Sequence, residues 1–263
     1  MKKKKLIFAN WKMNFSSEQA RVLVESIIDK LNKLELLKGT ALKIDAEVVL
    51  APAFPSLSFV SSLIRHTGIS LSSQDVFWEA KGPYTGEVSP SMLIDVGCTW
   101  AMIGHSERRQ HLLETNEMIN KKVLNALSQD LNIILCVGES FEQRRRKNTF
   151  EAISDQLRRG LRGVTESQLN ESEVVIGYEP VWVIGSGEAA SVEDIASVHN
   201  FVSDELKSIF PTLKSLPRIV YGGSVNSENI EQIASLSNVD GVLVGNASMD
   251  CDKFCDIVLK VVK

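Results

Sequence analysis

The sequence predicts an α/β protein in which eight parallel strands close into a (β/α)8 barrel with the helices outside. Three observations carry that expectation. Short apolar runs alternate with longer amphipathic stretches from one end of the chain to the other. The runs are nearly continuous in apolar character, as in strands covered on both faces of a parallel sheet. Eight such pairs in 263 residues match the size of a closed barrel. No linker or low-complexity segment divides the chain, so residues 1–263 are expected to form one domain.

In order, the runs are LIFANW (6–11), AEVVLAP (46–52), ISLSSQD (69–75), WAMIG (100–104), IILCVG (133–138), VVIGYEP (174–180), RIVYGG (218–223) and GVLVG (241–245). They are strand-length and rich in β-branched residues. Helical patterns lie between them. In SSEQARVLVESIIDKLNKL, Ser16 can cap the helix and Gln19 can reach back, and Ser191 opens SVEDIASVHNFVSDELKSIF. A doubly wound open sheet would need a Gly-rich dinucleotide turn after an early strand, and NWKMNFSS is not one.

Composition narrows the function classes. With 44% hydrophobic and 24% charged residues the chain is expected to fold. A formal net charge of −4 gives no general attraction to nucleic acid or anionic membrane, so an anionic ligand must be held by local groups. The four cysteines, Cys98, Cys136, Cys251 and Cys255, show no CxxC or His-paired metal spacing, although the last two fall one helical turn apart. Reduced thiols are expected. The basic start MKKKK leads into an apolar run too short for a signal segment or a membrane span, which points to a soluble cytoplasmic protein.

In such a barrel the chemistry sits at the C-terminal ends of the strands, and those ends are polar here. The first carries Asn10 and Lys12, the fourth His105 and Glu107, the fifth Glu139, the sixth Glu179, and the last two YGGS and VGN. Glu179 precedes Pro180, which fixes it at a strand exit; shielded from water, it is a candidate base. A lone glutamate there is more often solvated or salt-bridged, but its company points to chemistry. His105 follows a strand and opens a helix, where the positive helix end disfavours imidazolium and leaves a neutral ring able to donate to a carbonyl. Lys12 is a point charge suited to an anionic substrate and a developing oxyanion. The glycines of YGGSV (221–225) and VGNAS (244–248) let backbone amides approach an anion such as phosphate.

The segments ANWKMN (9–14), YTGEVS (84–89), GHSERR (104–109), CVGE (136–139), YEPVWVIGSG (178–187), YGGSV (221–225) and LVGNAS (243–248) together resemble the triosephosphate isomerase family, in its order and near its spacing, over essentially the whole chain. The resemblance implies a TIM barrel that interconverts dihydroxyacetone phosphate and D-glyceraldehyde 3-phosphate through an enediolate, in glycolysis and gluconeogenesis, with no cofactor and no metal. Glutamate and neutral histidine tuned by their surroundings are an established example of such chemistry in this enzyme.

By that resemblance Glu179 matches the base, His105 the electrophile and Lys12, with Asn10, the substrate-binding pair. The amides of Gly185, Ser224, Gly245 and Asn246 match the phosphate cradle, Glu107 and Cys136 supporting residues. Pro180, Val181, Trp182, Val183, Ile184, Gly185, Ser186 and Gly187 match a lid. Thr85 matches a loop residue that braces the partner's site in a homodimer. The chain departs from the usual family pattern at Val183, Ser186 and Glu188 in the lid, at Asn246 in place of a second glycine, and at Pro83 and Tyr84 beside Thr85.

Overall fold

A computed structural model describes residues 4–38, 41–183 and 190–262, and in it eight parallel strands close into a barrel surrounded by helices. The strands are β1 (Lys5–Asn10), β2 (Ala46–Ala51), β3 (Ser70–Ser73), β4 (Trp100–Ile103), β5 (Asn132–Val137), β6 (Val174–Tyr178), β7 (Arg218–Tyr221) and β8 (Gly241–Val244). Each pairs with the next, and β8 returns to β1 with Gly241 opposite Leu6. Every strand ends one or two residues short of the end of the run that announces it. A two-residue antiparallel pair, Leu37–Lys38 with Ala41–Leu42, was not anticipated. It is too short to carry a period.

Side chains alternate across each strand, and this alternation splits the core into two layers. Along β1, Leu6 and Phe8 join an inner cluster with Val49, Trp100, Met102, Ile134, Cys136, Val175, Val220 and Leu243, whereas Ile7 and Ala9 join the outer layer under the helices. Phe8 and Trp100 meet edge to face, ring centroids 5.3 Å apart, and fill the barrel's interior. The same inward series reaches Asn10, the last residue of β1, after Leu6 and Phe8, and just past the other strand ends reaches Glu179 after Val175 and Gly177, Gly222 after Val220, and Gly245 after Leu243. Strand register alone thus sends these four residues to the C-terminal mouth.

The opposite end is closed by Arg218, whose buried guanidinium donates to both oxygens of Glu173, at 2.6 and 2.8 Å, and to the carbonyl of Lys4 at 2.8 Å. The helices begin as their sequences lead one to expect. At Ser17–Lys33, Ser16 and Gln19 form the reciprocal capping box, and Ser191 Oγ accepts from Asp194 N–H at 3.1 Å to open Val192–Ile209. Among the described residues no helix is long and apolar enough to cross a membrane.

His199, on Val192–Ile209, is fully buried, with Nδ1–H donating to the carbonyl of Asn238 at 3.0 Å and the ring edge against Tyr178. Burial drives its pKa from an ordinary 6.5 down to about 4, so the folded protein resists a proton that the unfolded chain accepts. The stability that follows is complete above pH 6.5 and is lost as pH falls toward 4, on the order of 3 kcal/mol in all. Replacing His199 with Gln, which can still donate to Asn238, should flatten that part of the profile. Urea titrations between pH 4 and 7 test this: an unchanged slope in the variant would assign the acid loss elsewhere.

Candidate active site

Glu179 is the most constrained residue at the mouth. Its N–H continues the ladder to Val137 O at 2.8 Å, and past Pro180 the N–H of Val181 still donates to Glu139 O at 3.1 Å. Two glycines make room for it. A Cβ on Gly138 would lie 1.7 Å from Glu179 O, and one on Gly222 would lie 3.0 Å from Glu179 Cγ. The carboxylate is only 2% exposed. Oε2 accepts from the backbone N–H of Ser106 at 2.9 Å, and Oε1 lies 2.9 Å from His105 Nε2. Burial alone would raise its pKa; His105, Ser106 N–H and Lys12 outweigh that, and the net shift is downward.

His105 caps the helix Ser106–His111, and its Nδ1 accepts from Glu107 N–H at 3.3 Å. That bond leaves the other nitrogen, Nε2, to carry the hydrogen toward Glu179. The sequence led to the expectation of a histidine that disfavours charge. Burial does oppose an imidazolium, but the adjacent Glu179 overcomes it, so His105 titrates above its ordinary value in this pairing. The reason is a contact between residues 74 positions apart, which no local pattern reveals.

Lys12 has left-handed backbone, φ 52°. Its N–H donates to Asn10 Oδ1 at 2.9 Å and its ammonium meets Glu107 Oε1 at 2.6 Å. The lysine stem passes close to Gly245, where an added Cβ would just touch Lys12 Cε at 3.4 Å. Asn10, Lys12, His105, Glu179, Ser224, Gly245 and Asn246 all line one cavity of about 190 Å³, with Gly222, Gly223, Val225 and Leu243. The cavity lies below the roughly 300–1,000 Å³ usual for drug-sized ligands, which favours a small substrate. Asn246 is exposed at its rim and opens the short 3-10 helix Asn246–Met249.

Of the other expected residues, some touch the site without lining the cavity. Glu107 reaches the site through Lys12. Cys136 lies buried in the inner core against Glu179, and burial together with that carboxylate's charge pushes its thiol well up. Thr85 is exposed and does not line this cavity. Of the lid residues, Pro180, Val181, Trp182 and Val183 are described; Ile184, Gly185, Ser186 and Gly187 lie outside the described residues, as does Glu188. Trp182 Nε1 donates to Glu139 at 2.8 Å, and Arg144 lies over its ring at 4.1 Å while pairing with Asp194 at 2.7 Å. Sequence reading missed Ser106 as a donor to Glu179. The signal was available, because a residue just inside a helix N-terminus has a free N–H.

The sequence profile of the family described as triosephosphate isomerase matches residues 5–261. Proteins named triosephosphate isomerase are similar over nearly their full length. That of Thermoanaerobacter sp. (strain X514) is 44% identical over 96% of this chain and 98% of its own. That of Dictyoglomus thermophilum is 44% identical over 97% and 99%, and that of Geobacter metallireducens 39% over 96% and 97%.

The contact at Gly222 makes a test of this geometry. Alanine there must displace the Glu179 side chain by a few tenths of an ångström, and misplacement on the scale of an ångström can cost about a hundredfold in rate. Gly222→Ala is expected to lower kcat/KM about tenfold with a small change in melting temperature. A variant as active as the parent would show that the carboxylate has more freedom than these contacts allow.

Proposed function

The chain belongs to the triosephosphate isomerase family, and from that premise we propose that Glu179, His105 and Lys12 carry its reaction. That reaction is the interconversion of dihydroxyacetone phosphate and D-glyceraldehyde 3-phosphate. The observation that carries the assignment is convergence: a buried carboxylate, a helix-capping imidazole and an ammonium line one small cavity together with two Gly-rich turns.

The substrate phosphate is received by the amides of Ser224, Gly245 and Asn246, with Gly185 added by resemblance, and residues 180–187 act as the lid. Glu179 gives up Ser106 N–H and His105 to meet the substrate carbon, and its desolvated carboxylate then takes the proton from one carbon and returns it to the next. His105 is thereby released from the charge that raised its pKa. Nδ1 still accepts from Glu107 N–H, so the neutral ring presents Nε2–H to the substrate oxygen. Asn10 and Lys12 hold the substrate, and the Lys12 ammonium opposes the charge that builds on the enediolate oxygen.

A coupled assay with D-glyceraldehyde 3-phosphate tests the roles directly. Glu179→Asp withdraws the carboxylate by one methylene and should cost about a hundredfold in turnover with little change in binding. Lys12→Met removes charge felt in ground and transition states alike, so KM should rise and kcat fall. Wild-type turnover in the aspartate variant would remove Glu179 as the base.

We further read the chain as one cytoplasmic catalytic domain acting as a homodimer through the loop around Thr85. Support comes from the loop's internal packing and from exposed apolar side chains, Tyr84 in it and Met13 outside it. Phe77 stacks on Trp78 at 4.1 Å and meets Tyr84 at 4.8 Å, and Phe77 N–H donates to Val88 O at 2.8 Å across the loop's base. Met13, beside Lys12, is 94% exposed. Removing residues 82–86 and closing the gap should give a soluble, weakly active monomer by light scattering, and diluting the intact protein should lower its specific activity. A fully active monomer would make the interface dispensable.

A further inference from the structure

Lys12 is a non-glycine residue in the left-handed region, a conformation that L-residues with long side chains rarely keep unless their surroundings impose it. The ammonium is useful only while the backbone beneath it stays in that conformation. Asn10 Oδ1 holds the N–H side at 2.9 Å. On the carbonyl side, the side-chain nitrogen of Gln74 donates to Lys12 O at 2.9 Å and to Ala51 O at 2.8 Å.

We propose that Gln74 is a positioning residue that locks the strained backbone of Lys12 and so sets where its ammonium stands in the active site. The inference rests on the reading that Lys12 serves the reaction. Gln74 is the first residue after β3, and Ala51 is the last of β2. One carboxamide therefore ties the segment leaving β1 to the end of β2 beside it and to the exit of β3, one strand further round the barrel. The residue type is demanded by the partners: two carbonyl oxygens need two donors from one planar group, and –NH2 supplies them without charge. A carboxylate of the same shape has none at neutral pH, and an added cation would repel the lysine.

The neighbouring residue secures the other end of the same lysine. Asp75 faces away from Gln74 and pairs with Lys122 at 2.6 Å and with Arg108 at 2.8 Å. Arg108 directly follows Glu107, the partner of the Lys12 ammonium. Consecutive residues at one strand exit thus brace the backbone of Lys12 and the segment that receives its head group.

A double-mutant cycle tests the proposal. Gln74→Met keeps the bulk and removes both donors. In the parent it should lower kcat/KM about tenfold to a hundredfold, through a higher KM as well as a lower kcat. Added to Lys12→Met, and assayed at high enzyme concentration, it should change kcat/KM by no more than about twofold, because the group it positions is gone. Equal losses in both backgrounds would make Gln74 a general staple of the barrel and overturn the proposal, as would no loss in the parent. Should circular dichroism show Gln74→Met to be unfolded, Gln74→Glu enters the same cycle with the same reading. If Lys12→Met alone is fully active, the assignment of Lys12 falls and the proposal with it; an impaired Lys12→Met beside an unimpaired Gln74 variant refutes the proposal alone.

Discussion

The rest of the site depends on a carboxylate held out of water at the end of β6. An isolated ionised carboxyl in an apolar interior is costly enough to take up a proton instead. Glu179 stays ionised because Ser106 N–H and His105 Nε2 stand at 2.9 Å and the Lys12 charge is nearby. Those donors belong to a different strand exit, so the sheet must hold β4 and β6 in fixed register across β5. The glycines at 138 and 222 follow from the same constraint, since the backbone and side chain of Glu179 occupy the space a Cβ would need.

A second group of buried charges sits beneath the first. Lys122, Asp75 and Glu114 are almost fully buried, with Arg108 closing the group from the more exposed side. Burial and the adjacent Glu114 push the Asp75 carboxyl up to about 6, against the pull of Lys122 and Arg108, so it remains ionised at neutral pH. Removing one partner from such a group leaves an uncompensated buried charge, which is far costlier than the pair is stabilising. The network therefore fixes geometry more than it adds stability. What it fixes includes the start of the helix that carries His105 and Glu107.

Much of this was legible in the sequence. The eight runs are visible because strands covered on both faces must be apolar nearly throughout, and the capping residues Ser16 and Ser191 act locally. Asn10, Lys12, His105, Glu179, Ser224, Gly245 and Asn246 stood out as polar or Gly-rich strand ends, and the fold brings them to one cavity. What stayed hidden depends on distance along the chain. The hydrogen bond from Gln74 to Lys12 spans 62 residues, and the pairing that raises the His105 pKa spans 74. Nor does any local pattern reveal the φ of 52° at Lys12, since lysine is not a residue that advertises a left-handed backbone.

The inner face of the barrel also explains why stability and chemistry do not compete for the same positions. Leu6, Phe8, Trp100 and Met102 fill the lower and middle interior, and one further step toward the mouth along the strands gives Asn10, Glu179, Gly222 and Gly245. Large side chains at that upper level would extend the core by burying more apolar area, each gaining about 25 cal/mol per Å². They would also close the cavity and displace Glu179. Small residues there forgo that gain, and the layer below, closed by Phe8 against Trp100, makes the omission tolerable by keeping the floor of the site dry and rigid. A floor of that kind lets Glu179 remain desolvated, and in the proposed reaction, where the carboxylate leaves Ser106 and His105 to act as base, that desolvation is what keeps it a strong one.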